Sequence, residues 1–108
     1  MSTQLWSWTA SDLAAAIRAK KIKSREAVDS VLDRIAALNP RLNALPYVLA
    51  DEARAAADAA DRAVAAGAPL GPLHGVPVTT KVNVDQKGCA TTNGLVALKD
   101  LVATEDSP

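Results

Sequence analysis

The sequence predicts an α/β chain, with helices leading and strands following. Two observations carry that expectation. From Ala27 to Leu38, apolar residues recur at three- and four-residue steps, the period of a helix with one buried face. From Val76 to Val84, valine alternates with other side chains at the period of a strand. An apolar run at 42–50 and an alanine-rich run after it complete a strand–helix–strand pattern over 42–84, compatible with a βαβ crossover.

The elements follow in order. Thr9 caps a first helix, with Asp12 three residues on in an acidic variant of the capping box. Leu13, Ala14, Ala16 and Ile17 form its apolar side, and the basic run of Arg18, Lys20, Lys21, Lys23 and Arg25 closes it. Ser24 caps a second helix, Arg25 to about Leu38, on which Ala27, Val28, Val31, Leu32, Ile35 and Leu38 form one stripe. Asn39-Pro40 should stop it. Val28, Val31, Leu32 and Ile35 are expected to be the best-buried residues of this half. Residues 42–50 read as a strand, strongest at Tyr47-Val48-Leu49, which Pro46 either puts at a sheet edge or delays at its start. Asp51 to about Ala66 reads as a third helix, with Asp58 and Arg62 at a favourable i,i+4 spacing and Gly67 just past its end. After the turn at 71–75 comes the strand 76–84. Gln86-Lys87-Gly88 and Thr91-Thr92-Asn93-Gly94 then turn, and Leu95 to Lys99 reads as a single helical turn.

Composition narrows the function. With 108 residues the chain should form a single domain over 1–108. Twelve basic residues balance twelve acidic ones, so nothing points to nucleic acid or a membrane surface as a partner. Alanine is about a fifth of the chain and phenylalanine is absent, so the core is thin for its length. Cys89 is the only cysteine, which leaves no intrachain disulfide and fits a reducing compartment. The N-terminus, MSTQLWSWTA, lacks the pattern of a signal peptide, and no apolar run reaches the ~18 residues of a membrane span. A cytoplasmic location is expected.

The chemistry sits in HGVPVTTKVNVD, His74 to Asp85. On a strand, Val76, Val78, Thr80, Val82 and Val84 share a core face, while Pro77, Thr79, Lys81, Asn83 and Asp85 share the other. That second face suits an active-site wall, but alternation alone favours the wet face of a half-exposed sheet. His74 in its turn reads as structural or a spectator, Cys89 as a small buried or half-buried thiol, and Trp6 and Trp8 as packing the N-terminal segment onto a helix.

The run Gly71-Pro72-Leu73-His74-Gly75-Val76-Pro77-Val78, with Lys81, Asn83, Asp85, Lys87, Gly88, Thr91, Thr92 and Gly94 after it, resembles the amidase signature family. Ser24-Arg25-Glu26 and the segment from Ala37 to Ala44 fit it too, so the likeness covers about Thr9 to Pro108. The resemblance implies N-terminal helices plus a partial mixed sheet of the amidase-signature fold, truncated before the rest of the central sheet. It implies hydrolysis of carboxamides through an acyl-enzyme and a Ser–cis-Ser–Lys triad, with Lys81 as the catalytic base. A lysine is a base only when neutral, and burial disfavours its charged form. A neutral amine can then take a proton, through a bridging serine, from the nucleophilic serine. The chemistry implied needs no cofactor and no metal. The expected partner is a small-molecule amide substrate, with homodimerisation or self-association of the fragment as a further expectation.

There are two departures. Val82 stands where the family commonly has an acidic residue, and from its place on the core face it should alter packing or a nearby hydrogen bond more than the base itself. The glycine- and serine-rich segment that carries both serines lies downstream in the family, so only the lysine of the triad falls in this chain. Ser2, Ser7, Ser11, Ser24, Ser30 and Ser107 have no such context, and none is assigned as nucleophile. This chain alone should not turn over. Two rivals stand beside the amidase reading: a catalytically inactive α/β remnant or interaction module, and the amidase subunit of a tRNA-dependent amidotransferase.

Overall fold

The computed structural model describes residues 4–108, so Ser2 and the start of the MSTQLWSWTA segment lie outside the described residues. The chain divides into two compact units, Met1–Pro77 and Val78–Pro108.

The first unit is helical. A 3-10 turn, Leu5–Ser7, leads into α1 (Ala10–Arg18), α2 (Ser24–Leu42) and α3 (Ala50–Ala65). Thr9 caps α1 as expected, its hydroxyl accepting from the Asp12 N–H at 3.1 Å. The helix ends at Arg18, and just beyond it Lys20, with positive φ, closes a Schellman-type turn: the Lys21 N–H donates to Ala16 O and the Lys20 N–H to Ile17 O. Gly67 closes α3 in the same way, with the Ala68 N–H donating to Ala63 O and its own N–H to Val64 O. Glycine adopts that φ without cost, and the lysine does not.

The core gathers at one end. Leu13, Ala14, Ala16 and Ile17 of α1 are all buried, with Ala27 and Val28 of α2, Ala57 of α3 and Leu5. Trp8, Ile22 and Val76 pack against the cluster of Leu5, Leu13 and Ala27. Trp6 joins the N-terminal segment to α2: its N–H donates to Ser30 Oγ at 3.1 Å, and the Arg34 guanidinium lies 4.2 Å from its ring.

Several expectations need correction. α2 does not stop at Asn39-Pro40 but runs on to Leu42 with Pro40 inside it. The last turn survives because Asn43 takes the left-handed conformation and donates to Asn39 O at 2.7 Å. Proline therefore costs α2 a single hydrogen bond close to its end. Of the four stripe residues expected to be best buried, Val28 alone is; Val31, Leu32 and Ile35 are half-buried. An open groove of about 540 Å³, lined by Leu32, Ile35, Ala36, Val48 and Arg54, runs along that part of α2 and leaves the side chains partly uncovered.

The partial sheet is not formed: among the described residues there is no strand, and the βαβ crossover goes with it. Residues 43–49 are a loop. The Asn39 side chain accepts from the Leu45 N–H at 3.0 Å and donates to Leu45 O at 2.7 Å, taking the place of a neighbouring strand. Tyr47, in the strongest part of the expected strand, is 67% exposed. Residues 76–84 fare no better. A strand needs a ladder partner for its backbone. Here the Val76 N–H turns back to Leu73 O and the Val84 N–H to Lys81 O. The expected core face is open, with Val78, Thr80, Val82 and Val84 all exposed. Val82 therefore holds no buried packing position in this structure.

The second unit is a loop that returns on itself. Asp85, Gly88, Cys89 and Thr91 exchange backbone hydrogen bonds with Leu101, Ala103 and Ser107, around an isolated antiparallel bridge from Ala90 to Val102. The expected turns form. Gly88 has φ +83° in the turn closed by the Cys89 N–H on Gln86 O. Asn93 and Gly94 both take positive φ, as a type I′ turn requires, and the Leu95 N–H donates to Thr92 O. Val96–Leu98 is the short helical turn expected there.

Candidate active-site segment around Lys81

The residues of the HGVPVTTKVNVD stretch divide by role. In the first unit the turn at 71–76 is gripped from three helices. Arg18 of α1 donates from Nη2 to Gly71 O at 2.9 Å. Ser24, at the start of α2, donates from Oγ to Gly75 O at 2.6 Å. His74 Nε2 lies 2.9 Å from Ala60 O of α3; a carbonyl only accepts, so that nitrogen bears the proton. His74 is thus structural, as its turn context suggested.

Gly75 is needed where it stands. Its φ is +78°, and a Cβ there would meet Ser24 Cβ at 3.0 Å and Ser24 Oγ at 3.1 Å. Ser24 is 1% exposed and is not the side-chain cap of α2. The cap comes from another helix: Asp61 of α3 accepts from the Ser24 N–H at 2.6 Å and the Arg25 N–H at 3.1 Å. A carboxylate at that end also complements the helix dipole. Glu26 adds the reach-back half of a capping box, accepting from the Lys23 N–H at 3.0 Å.

An ion network ties α2 to α3. Arg25 pairs with Asp58 at 2.8 Å and with Asp29 at 3.0 Å, and Arg54 pairs with Asp29 at 3.0 Å. Rising numbers on α2 meet falling numbers on α3, so the helices run antiparallel. Asp58 is spent on Arg25 here, not on the Arg62 expected from the i,i+4 spacing. The Arg54 hydrogen bond, aided by Arg25, holds the Asp29 carboxyl below its ordinary range. Asp58 in turn raises Arg25. The i,i+4 pair of Arg25 and Asp29 was legible in the sequence; nothing in the sequence signalled the pairs across helices or the Ser24–Gly75 bond.

In the second unit Lys81 is exposed, and the ion pairs of the described residues do not include it. Its carbonyl accepts from the Val84 N–H at 3.0 Å. Asp85 is occupied structurally: Oδ1 accepts from the Thr91 hydroxyl at 2.5 Å, its N–H donates to Ser107 Oγ at 3.0 Å, and its carbonyl accepts from the Ser107 N–H. Lys87 is tied down through its N–H on Asp106 Oδ1 at 2.8 Å. Cys89 is a half-buried free thiol. Ser7, Ser24, Ser30 and Ser107 each bond elsewhere, to Gln4 O, Gly75 O, the Trp6 N–H and the Asp85 N–H. Among the described residues no cluster of three or more His, Cys, Asp or Glu converges on a metal position, and no helix is long and apolar enough to cross a membrane.

The family profile described as Amidase matches residues 26–108, and the chain belongs to that family, the amidase signature family. It is 51% identical over 104 residues to an indoleacetamide hydrolase of Bradyrhizobium diazoefficiens, a match covering 96% of this chain and 20% of that protein. It is 46% identical over 99 residues to a glutamyl-tRNA(Gln) amidotransferase subunit of Halorhodospira halophila, covering 92% of this chain and 20% of the relative. Among solved structures it resembles a bacterial aryl acylamidase of the amidase signature enzymes, with a TM-score of 0.83 and 37% identity over 89% of this chain and 20% of that one. The chain thus spans about a fifth of the length of the curated relatives it matches.

Proposed function

We propose that this chain carries the base-bearing segment of a carboxamide hydrolase, with Lys81 as the catalytic base of a Ser–cis-Ser–Lys triad. The observation that carries this reading is the dense match around Lys81 in a chain of the Amidase family. The two serines belong to family sequence that none of the six serines here matches. In the reaction, Lys81 Nζ takes a proton through the bridging serine as the nucleophilic serine attacks the amide carbon. The C–N bond breaks, the amine or ammonia leaves with a proton, and water releases the acid from the acyl-enzyme. Backbone amides would hold the oxyanion. Residues 1–108 alone are expected to give no turnover, because a triad base without its two serines has no nucleophile to activate. A small cytoplasmic amide is the proposed substrate class.

The 51% likeness to an indoleacetamide hydrolase favours an arylacetamide as the first substrate to try. The second reading, a component of a tRNA-dependent amidotransferase, has the 46% match behind it. An assay of the full encoded chain separates them: ammonia release from indole-3-acetamide without any other protein present supports the hydrolase. Lys81→Ala and Lys81→Arg should each lower that rate by about 10³-fold or more, since guanidinium does not give up its proton at working pH. A Lys81→Ala enzyme within tenfold of the parent would remove Lys81 from the role.

A further inference from the structure

We propose that the corner between α1 and α2 is a docking surface for a short acidic segment of a partner protein, received by Lys20, Lys21 and Lys23. The run from Arg18 to Arg25 holds five cations in eight residues. Arg25 is spent on Asp58 and Asp29, and Arg18 donates to Gly71 O. The three lysines are exposed, and the ion pairs of the described residues include none of them. Ile22 stands between them, half-buried and packed on the core cluster. The corner is therefore anchored, and its lysines are held at the surface of a packed unit.

Local structure does not account for these lysines. The dipole of α1 favours a cation near its end, which explains Arg18 and Lys21 without a partner. Lys20 and Lys23 are different. Lys20 takes φ +60° just past α1, where Gly67, at φ +70°, closes α3 with the same pair of hydrogen bonds. Glycine adopts that conformation without strain, and lysine does not. Lys23 is the N-cap of α2, a place that favours serine, threonine, asparagine or aspartate. The positive end of the dipole also repels a cation there. Asp61 and Glu26 serve that end instead, accepting from the Ser24, Arg25 and Lys23 N–H groups. What Lys20 and Lys23 add at these unfavourable positions is charge. Strain and broken local rules persist where function uses them.

The extent of the patch sets the class of partner. Ammonium groups attract carboxylates and phosphates alike. The patch is short, and the carboxylates of Glu26 and Asp61 border it, bonded to its backbone. A long phosphate backbone would run across those like charges, whereas a few consecutive Asp or Glu side chains fit between them.

Anisotropy of a labelled oligoglutamate peptide, titrated with the full encoded chain, tests the surface. Combining Lys20→Gly, Lys21→Ser and Lys23→Ser should weaken binding by about tenfold or more, and raising salt from about 50 to 200 mM should weaken the parent's binding too. A charge-matched variant, Arg41→Ser with Lys87→Ser and Lys99→Ser, should bind within about twofold of the parent. No binding by the parent, no loss in the corner variant, or an equal loss in both variants overturns the docking surface. An RNA oligonucleotide that binds more tightly than the peptide through the same lysines overturns the assignment to an acidic protein segment. Lys20→Gly alone reads the strain by hydrogen exchange: protection of the Lys21 N–H, which donates to Ala16 O, should rise by about threefold or more. Unchanged or lower protection would show that Lys20 costs the corner nothing, and would remove the reason to assign it a partner.

Discussion

At the scale of single residues, Gly75 shows how a motif position can be explained by packing. It combines φ +78° with Ser24 atoms 3.0–3.1 Å from where a Cβ would sit. Gly75→Ala should therefore cost about 2–4 kcal/mol, part from the left-handed backbone and part from displacing a buried side chain. A urea melt checks this, and a change below about half a kcal/mol would show that the turn yields. Asp29 gives a pH prediction. Its folded carboxyl titrates below its unfolded value, chiefly through the Arg54 hydrogen bond. The stabilisation is thus present above the unfolded value and is lost as pH falls through the folded one. Stability should decline from about pH 5 downward, and Asp29→Asn should flatten that decline. The partners remain roughly two-fifths exposed, so the effect is small and weakens with salt.

Among the elements, burial separates α1 from the far half of α2. Ile17 is 1% exposed, so Ile17→Ala should cost about 2–5 kcal/mol. Leu32 lines the open groove and is half-buried, so Leu32→Ala should cost only about 1 kcal/mol. Chemical denaturation of both variants decides the order, and a larger loss at Leu32 would place the core at the wrong end of α2. The two expected strands fail for a shared reason. Alternation and β-propensity at 76–84 describe a pattern that suits a sheet, but a sheet exists only where a second backbone is in register. Among the described residues none is, so turn hydrogen bonds take those N–H groups instead.

At the scale of the whole molecule, the two units differ in how much apolar surface they cover. The buried residues all belong to the first unit. In the second, Val78 is 74% exposed, Val96 81%, Leu95 58% and Leu101 56%. Exposed apolar surface of this kind invites association. Residues 78–108 should exchange amide hydrogens fastest and be cut first by a protease, while α1 stays protected. We also expect the 108-residue chain to self-associate, seen as a sedimentation coefficient that rises with concentration. Uniform protection across both units and a concentration-independent monomer would count against this.

Much of the helical half could be read before folding. The Thr9 cap, the buried side of α1, the extent of α3 with Gly67 beyond it and the Asn93-Gly94 turn depend on residues close in sequence, where propensity and capping act directly. The dense run around Lys81 likewise told the family. Other features belonged to tertiary structure. Ser24 looked like a cap and became a donor to a residue 51 positions away, while Asp61 took its place from 37 positions away. Pro40 looked like a stop and was carried by Asn43. Valines at 78, 82 and 84 looked like core and face solvent. Each of these depends on which backbone groups and surfaces meet in space, and local sequence holds no record of that until distant partners arrive.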